Sequence, residues 1–271
     1  MSSASFTLRI ADYSRFLWDL LSGRRQRSEF SAAARRARDC AELLPQPDSP
    51  LTVLDVGSGK MRPQYTILRR QGHRVIGVDL ANAPTFSIES VLYILARFLY
   101  NLRCPARGTP RFPEELIAAD VGNLPLPDGC IDLVTSVAAF EHFLDVPRVV
   151  KELYRVTKPG AALWIAIHPF PSLSGGHNVS CRLSTITSMP AGFEPWDHLR
   201  KRRHPFTVPL NEWRHGQYIE EFNKYFEIVR VTYDGPEGEH LLTPEIEQEL
   251  SAFTREELLS PGLVMVMRRG N

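Results

Sequence analysis

The 271 residues carry 32 Lys and Arg against 31 Asp and Glu, so the chain has no excess charge to draw nucleic acid. That length suits one α/β domain with elaborations and a substantial core. Four far-apart cysteines, Cys40, Cys104, Cys130 and Cys181, lack metal-ligand spacing, so reduced thiols in a cytoplasmic protein and no metal site are expected.

Residues 1–50 read as an N-terminal helical extension, and 51–271 as the main domain. Phe6, Ile10, Phe16, Leu17, Leu20 and Leu21 fall at mixed three- and four-residue spacings, as on an amphipathic helix. No basic region precedes a clean apolar stretch here, so no signal peptide is expected. Gly23 interrupts the pattern, and an Ala- and Arg-rich helix continues from Ser31 to Leu44. Arg24, Arg25, Arg27, Arg35, Arg36 and Arg38 read either as a solvated face or as a contact for an anionic partner. Pro45, Pro47 and Pro50 mark the entrance to the main domain.

Val53-Leu54-Asp55-Val56 is a short apolar run around one acid, and Gly57-Ser58-Gly59 follows it. A buried parallel strand ending in a tight turn has this form, and glycine there lets a ligand approach the backbone. A phosphate loop is excluded: Met61 follows Gly59-Lys60, and Leu54 stands where its first glycine belongs. A dinucleotide turn is disfavoured because Arg62 occupies the third glycine position. Helix is expected from Arg62 to Gln71, then a second buried strand from Arg74 to Asp79. Asp79 is spaced as the acid that binds ribose hydroxyls in a strand–helix–strand unit; a helix N-cap is the alternative.

The stretch 81–113 is longer than one crossover needs and counts as an insertion. Its helix, Ser87 to Leu102, carries Ile88, Val91, Leu92, Leu95, Phe98 and Leu99 on a wide apolar face. Glu89 and Arg97 interrupt it, and it is shorter than the roughly 20 residues of a membrane span. It reads as a helix on the core or as a lid over the substrate. A third strand is expected at Leu116–Val121 and a fourth after the Asp128-Gly129 turn. Asp145 caps a helix from Pro147 to Val156, and Lys158-Pro159-Gly160 introduces a fifth strand, Ala162 to Ile167.

In order, Asp55-x-Gly57-x-Gly59, the acids Asp79 and Asp120, Leu124-Pro125-Leu126-Pro127-Asp128 with Ile131-Asp132-Leu133-Val134, Phe140-Glu141-His142 and Lys158-Pro159-Gly160 resemble the class I S-adenosylmethionine (SAM) methyltransferases, type-11-like group. The resemblance runs from about Leu51 to His168; Met61 departs from it, standing where a further glycine is usual. It implies a Rossmann-like, seven-stranded, mostly parallel sheet with helices on both faces. It also implies SAM as cofactor, with S-adenosylhomocysteine as product. The implied cofactor residues are Asp55, Gly57, Ser58 and Gly59, then Asp79 and Leu80 at the ribose, Asp120 and Val121 at the adenine, and Ser136, Val137 and His142 beyond the fourth strand.

A second insertion, 169–217, holds Gly175-Gly176-His177, the basic run Arg200 to His204, and Phe193, Trp196, Phe206 and Trp213. The aromatics argue for an ordered cap that contacts substrate. The basic run reads as a phosphate or carboxylate contact, or as solvated surface. A helix Ile219–Phe226, strands Phe226–Val231 and Leu263–Met267, and a helix Thr243–Leu259 complete the chain. For a hydroxyl acceptor a general base helps, and the histidine candidates are His142, His177 and His198, with His168 near them. The expected reaction moves the methyl group to an oxygen, nitrogen or carbon of a small, lipid or sugar-containing molecule, anionic or apolar. Alternatives are a SAM fold with non-methylating chemistry and an idle SAM-binding partner protein. No nucleic-acid partner is expected, since no Asn-Pro-Pro-Tyr-type motif is present.

Overall fold

Seven strands form one sheet in the order β3-β2-β1-β4-β5-β7-β6, in a computed structural model that describes residues 17–44, 49–83, 87–177, 193–206 and 208–270. They are β1 (Thr52–Val56), β2 (Arg74–Val78), β3 (Glu115–Ile117), β4 (Ile131–Val137), β5 (Thr157–Ile167), β6 (Glu227–Tyr233) and β7 (Leu263–Arg268). The first five run parallel, while β7 is antiparallel to both β5 and β6. The order reverses between β1 and β4, where the crevice at the carboxyl ends of the strands takes ligands in open α/β sheets. Val56 pairs with Val78 on one side and Ser136 on the other, so Gly57, Asp79 and Val137 lie at one level at the carboxyl ends of these strands.

Both faces are covered. On one, the helix Val146–Val156 buries Val149, Val150, Leu153 and Val156 beside Phe222 of the helix His215–Asn223. Each such side chain contributes about 1.5–3 kcal/mol of burial. On the other face the helix Arg24–Ala41 sets Cys40 against Leu51, Val53 and Trp164. Gly23, at φ 71°, separates that helix from the helical residues 17–22; residues 1–16 lie outside the described range, with most of the first expected helix. Arg36 is not on a solvated face: it lies 4.6 Å over the Trp164 ring and bonds Gln64.

The motifs shared with methyltransferases are largely tie-points of this sheet. Arg155 donates to the carbonyls of Leu126 (2.8 Å) and Leu124 (3.1 Å), pinning the Leu-Pro-Leu-Pro turn to the helix before β5. Asp132 accepts from the Thr52 amide (2.8 Å) and Lys158 Nζ (2.7 Å), joining β1, β4 and β5.

Several expected boundaries move. The third strand ends at Ile117, so Asp120 sits in a turn where it accepts from the Gly122 amide at 2.9 Å. Lys158-Pro159-Gly160 lies inside β5, which begins at Thr157, because the register shifts between Ile131 and Leu133 and absorbs the extra residues. The late helix begins at His215, held by Arg214 and Gln217, and ends at Asn223. Thr243–Leu259 is two helices, Pro244–Glu249 and Arg255–Leu259, because Thr254 with Glu257 makes a second capping box. Among the described residues no helix is long and apolar enough to cross a membrane.

Candidate functional site

The turn after β1 takes its shape from two glycines. Gly57 has φ 70°, and a Cβ there would collide with the Ala139 Cβ beyond β4. Gly59 has φ 63°, and a Cβ there would meet nothing within 4 Å. One glycine admits a neighbouring strand end; the other opens the backbone to a ligand.

Asp79 is held at this turn. Its Oδ2 accepts from the Gly59 amide (2.8 Å) and its Oδ1 from the Ala81 amide (2.7 Å), capping the short 3₁₀ turn Leu80–Asn82. The N-cap reading is thus what the fold displays, and each carboxylate oxygen retains a second lone pair for a further donor. Leu80 beside it is 72% exposed, an apolar surface with no protein against it. Across the crevice Val137 is also exposed, while the Ser136 hydroxyl is committed to the Val56 carbonyl at 3.0 Å. Val121 is buried behind Asp120.

Under the turn lie buried polar atoms that lack a protein partner: Asp55 Oδ2 and Ser58 Oγ. Burial pushes the Asp55 carboxyl up to about 7, against the opposing pull of Arg36 and a bond from Thr135. An ammonium group would satisfy such atoms, so the turn fits the amino-acid end of SAM on its own chemistry.

Beyond β4 the chain opens a cavity of about 740 Å³, lined by Ala138, His142, His168, Leu173, His177 and the loop Asp234–His240. Ala138 (φ 53°) and His177 (φ 50°) are both left-handed, a strain of order 1–3 kcal/mol each that concentrates at this wall. The carbonyl of Pro209 can only accept, so His142 donates to it from Nδ1 (2.9 Å) and keeps its lone pair on Nε2. His168 does the same toward the Pro261 carbonyl at 2.7 Å. His142 and His177 meet edge to face with centroids 4.9 Å apart, and Glu141, 2% exposed, lies behind them.

His198 is not part of this group. It borders a separate recess of about 20 Å³ with Gly176 and Phe206, and its Nε2 bonds the Phe170 carbonyl at 2.9 Å. Burial lowers it to about 4, so it stays neutral and braces the cap. Sequence reasoning passed over Glu141 as a working group, although it stands inside the Phe-Glu-His segment.

The cap is ordered where described. Trp196, 1% exposed, packs on Leu173, Leu242, Leu258 and Leu259 and donates to the Leu258 carbonyl at 3.2 Å. Pro190 and the rest of 178–192 fall outside the described residues. The basic run is spent internally: Lys201 and Arg203 pair with Glu194, Arg200 with Glu249, and Arg202 with Glu212. Among the described residues, none of the helix Ile88–Arg103 lines the histidine cavity. It flanks the glycine turn instead, where Arg97 donates to the Lys60 carbonyl at 2.8 Å. Its Val91, Leu92, Leu95 and Phe98 are exposed.

Residues 54–165 match the family described as a methyltransferase domain. Over that stretch the chain carries a methyltransferase domain. A demethylmenaquinone methyltransferase of Thermus thermophilus is 33% identical over 144 residues, covering 52% of this chain and 58% of the relative. A malonyl-acyl-carrier-protein O-methyltransferase of Pectobacterium atrosepticum is 38% identical over 127 residues, 46% of this chain and 42% of the relative. The chain thus spans about half the length of these relatives. A solved SAM-dependent methyltransferase from Listeria monocytogenes, described as putative in function, shares the fold with a TM-score of 0.54 at 17% identity, over 89% of this chain and 99% of that one.

Proposed function

We propose that the whole protein transfers a methyl group from SAM to a small molecule held in the histidine-lined cavity. The observation that carries this is the Ala138-Ala139 pair: Ala138 lines the cavity, and Ala139 packs directly on Gly57 of the cofactor turn. Acceptor space and cofactor cradle therefore share one wall, as an in-line displacement needs.

SAM supplies the electrophilic methyl and its own leaving group. Asp79 and Leu80 hold the ribose end, Asp120 and Val121 meet the adenine, and Asp55, Ser58 and the glycine turn take the amino-acid end. Val137 and His142 border the reacting centre. The cap, braced by Trp196 and His198, excludes water from the cavity. For a hydroxyl acceptor, His168 is the group placed to take the proton, because its Nδ1–H is already spent on Pro261 and Nε2 carries the lone pair. The two relatives act on a quinone precursor and a carrier-bound malonyl group, so the shared core leaves acceptor choice to the cavity and cap. The acceptor is a metabolite with apolar and polar parts, not an anion gripped by the basic run, and the N-terminal helices belong to the catalytic unit. A cytoplasmic location fits the free thiols of Cys40, Cys104 and Cys130.

Methyl-labelled SAM incubated with the protein and a metabolite extract tests the reading by mass spectrometry. A labelled product gaining one methyl is expected. SAM binding in calorimetry without any labelled product would favour the non-methylating or idle alternatives.

A further inference from the structure

Glu141 is a buried acid that the proposed methyl transfer does not use. It sits on the 3₁₀ turn Phe140–His142, 3% exposed at its side chain, and among the described residues neither carboxylate oxygen makes a well-formed hydrogen bond, with only the backbone amides of Glu141 and His168 turned toward the group. An unpartnered buried carboxylate costs several kcal/mol unless a cation or proton attends it.

The groups around it are imidazoles. One nitrogen each from His142 and His177 and one oxygen from Glu141 lie within 4.8 Å of one another, with His177 Nε2 3.9 Å from Glu141 Oε1. His142 already makes the outer bond that metal-ligating histidines make, from Nδ1 to a backbone carbonyl, which leaves Nε2 as the donor. Asn211 holds the same turn by donating to the carbonyls of Phe140 (2.7 Å) and Phe143 (3.0 Å). At His177 the backbone itself, at φ 50°, sets where the ring stands.

We propose that Glu141, His142 and His177 form a binding site for one divalent transition-metal ion in the wall of the acceptor cavity. Two imidazoles and one carboxylate suit zinc, cobalt or iron(II), whereas calcium and magnesium want all-oxygen shells. Bonds of about 2.0–2.2 Å require ligand atoms roughly 3.3 Å apart, so the three side chains close by about 1.5 Å or less on metal entry. Three protein ligands leave a position open to the cavity. The substrate class that follows is an acceptor with an oxygen donor, a hydroxyl or carboxylate, next to the methylated atom. This last step rests on the cavity being the acceptor site; the metal site itself does not.

The test uses tag-free full-length protein, stripped with a chelator and titrated with Co²⁺, followed by calorimetry and visible absorption. One equivalent with d–d bands of a four- or five-coordinate centre is expected, displaced by Zn²⁺. Glu141→Gln and, separately, His177→Asn should each weaken binding at least about tenfold. His240→Gln, which alters another histidine of the same cavity, should leave stoichiometry and spectrum unchanged. Should Glu141→Gln fail to fold, His177→Asn decides. No Co²⁺ binding by the wild type, or wild-type binding by the folded variants, overturns the proposal. SAM titration of the stripped protein is read alongside: loss of SAM binding with metal binding intact sinks the methyl-transfer reading and spares the site.

Discussion

The two sides of the crevice are built differently. The cofactor side is a strand-end device: Gly57, Gly59, Asp79 and Asp55 lie within 25 residues and are fixed by backbone amides and neighbouring strands. The acceptor side gathers Ala138, His142, His168, His177 and Asp234–His240 from across a hundred residues, and its fixed points are imidazoles bonded to the carbonyls of Pro209 and Pro261. Main-chain geometry is shared by any chain that makes this sheet, so one side matches many relatives. Side chains from loops and cap are free to differ, which is why the proposed function assigns acceptor choice to them.

The sharpest way to break this contrast is at Asp79. Asp79→Ala should lower SAM affinity about 10³-fold in calorimetry, roughly 4 kcal/mol for two charge-assisted bonds. Acceptor-side metal binding should not change. Wild-type SAM affinity in a folded Asp79→Ala protein would refute the ribose assignment.

The cofactor turn and the cap should respond to pH with opposite signs. Asp55 is raised from 3.8 to about 7, so the folded state binds its proton more tightly than the unfolded chain does. Its favourable contribution is complete below about pH 4 and is lost as pH rises toward 7. His198 is lowered from 6.5 to about 4, so the unfolded chain takes up the proton first. Stability is then full above about pH 6.5 and falls as pH drops toward 4. Each slope spans on the order of 3–4 kcal/mol. Urea unfolding of the SAM-free protein across pH 4–7 should show Asp55→Asn removing the first slope and His198→Gln the second. An unchanged slope in either variant refutes that assignment.

A smaller effect separates the glycines. Gly57→Ala adds both strain and a collision with Ala139, and should cost about 2 kcal/mol or more of stability in thermal melts. Gly59→Ala meets open space, so it should cost about 1 kcal/mol of stability while weakening SAM more than its stability loss explains. Equal stability losses would mean Gly59 is not the ligand-facing position.

How much could be read without coordinates differs along the same line. β1, β2, β4 and the Asp145 cap follow from local patterns, because continuous apolar runs and turn residues act on near neighbours. The single helix expected over Thr243–Leu259 is two because a Thr-x-x-Glu box, Thr254 to Glu257, starts a new helix inside one apolar pattern. Assigning His198 to catalysis failed for another reason: nothing local says that Gly176 and Phe170 would enclose its ring. The basic run 200–203 reads from sequence as either an anion contact or solvated surface, and only in space do Glu194, Glu212 and Glu249 come to pair with it.

The chain by itself determined the sheet, the glycine turn and the place of the acid beside it, because these depend on spacing within one strand–helix–strand unit. It gave no sign of a metal site, since Glu141 and His142 are adjacent but His177 is 35 positions away and no cysteine spacing marks them. Only the tertiary structure closes that distance, by laying the segment after β5 over the end of β4. A buried carboxylate facing two imidazoles is a property of that closure, where removal from water makes an unpaired charge costly enough to demand a partner.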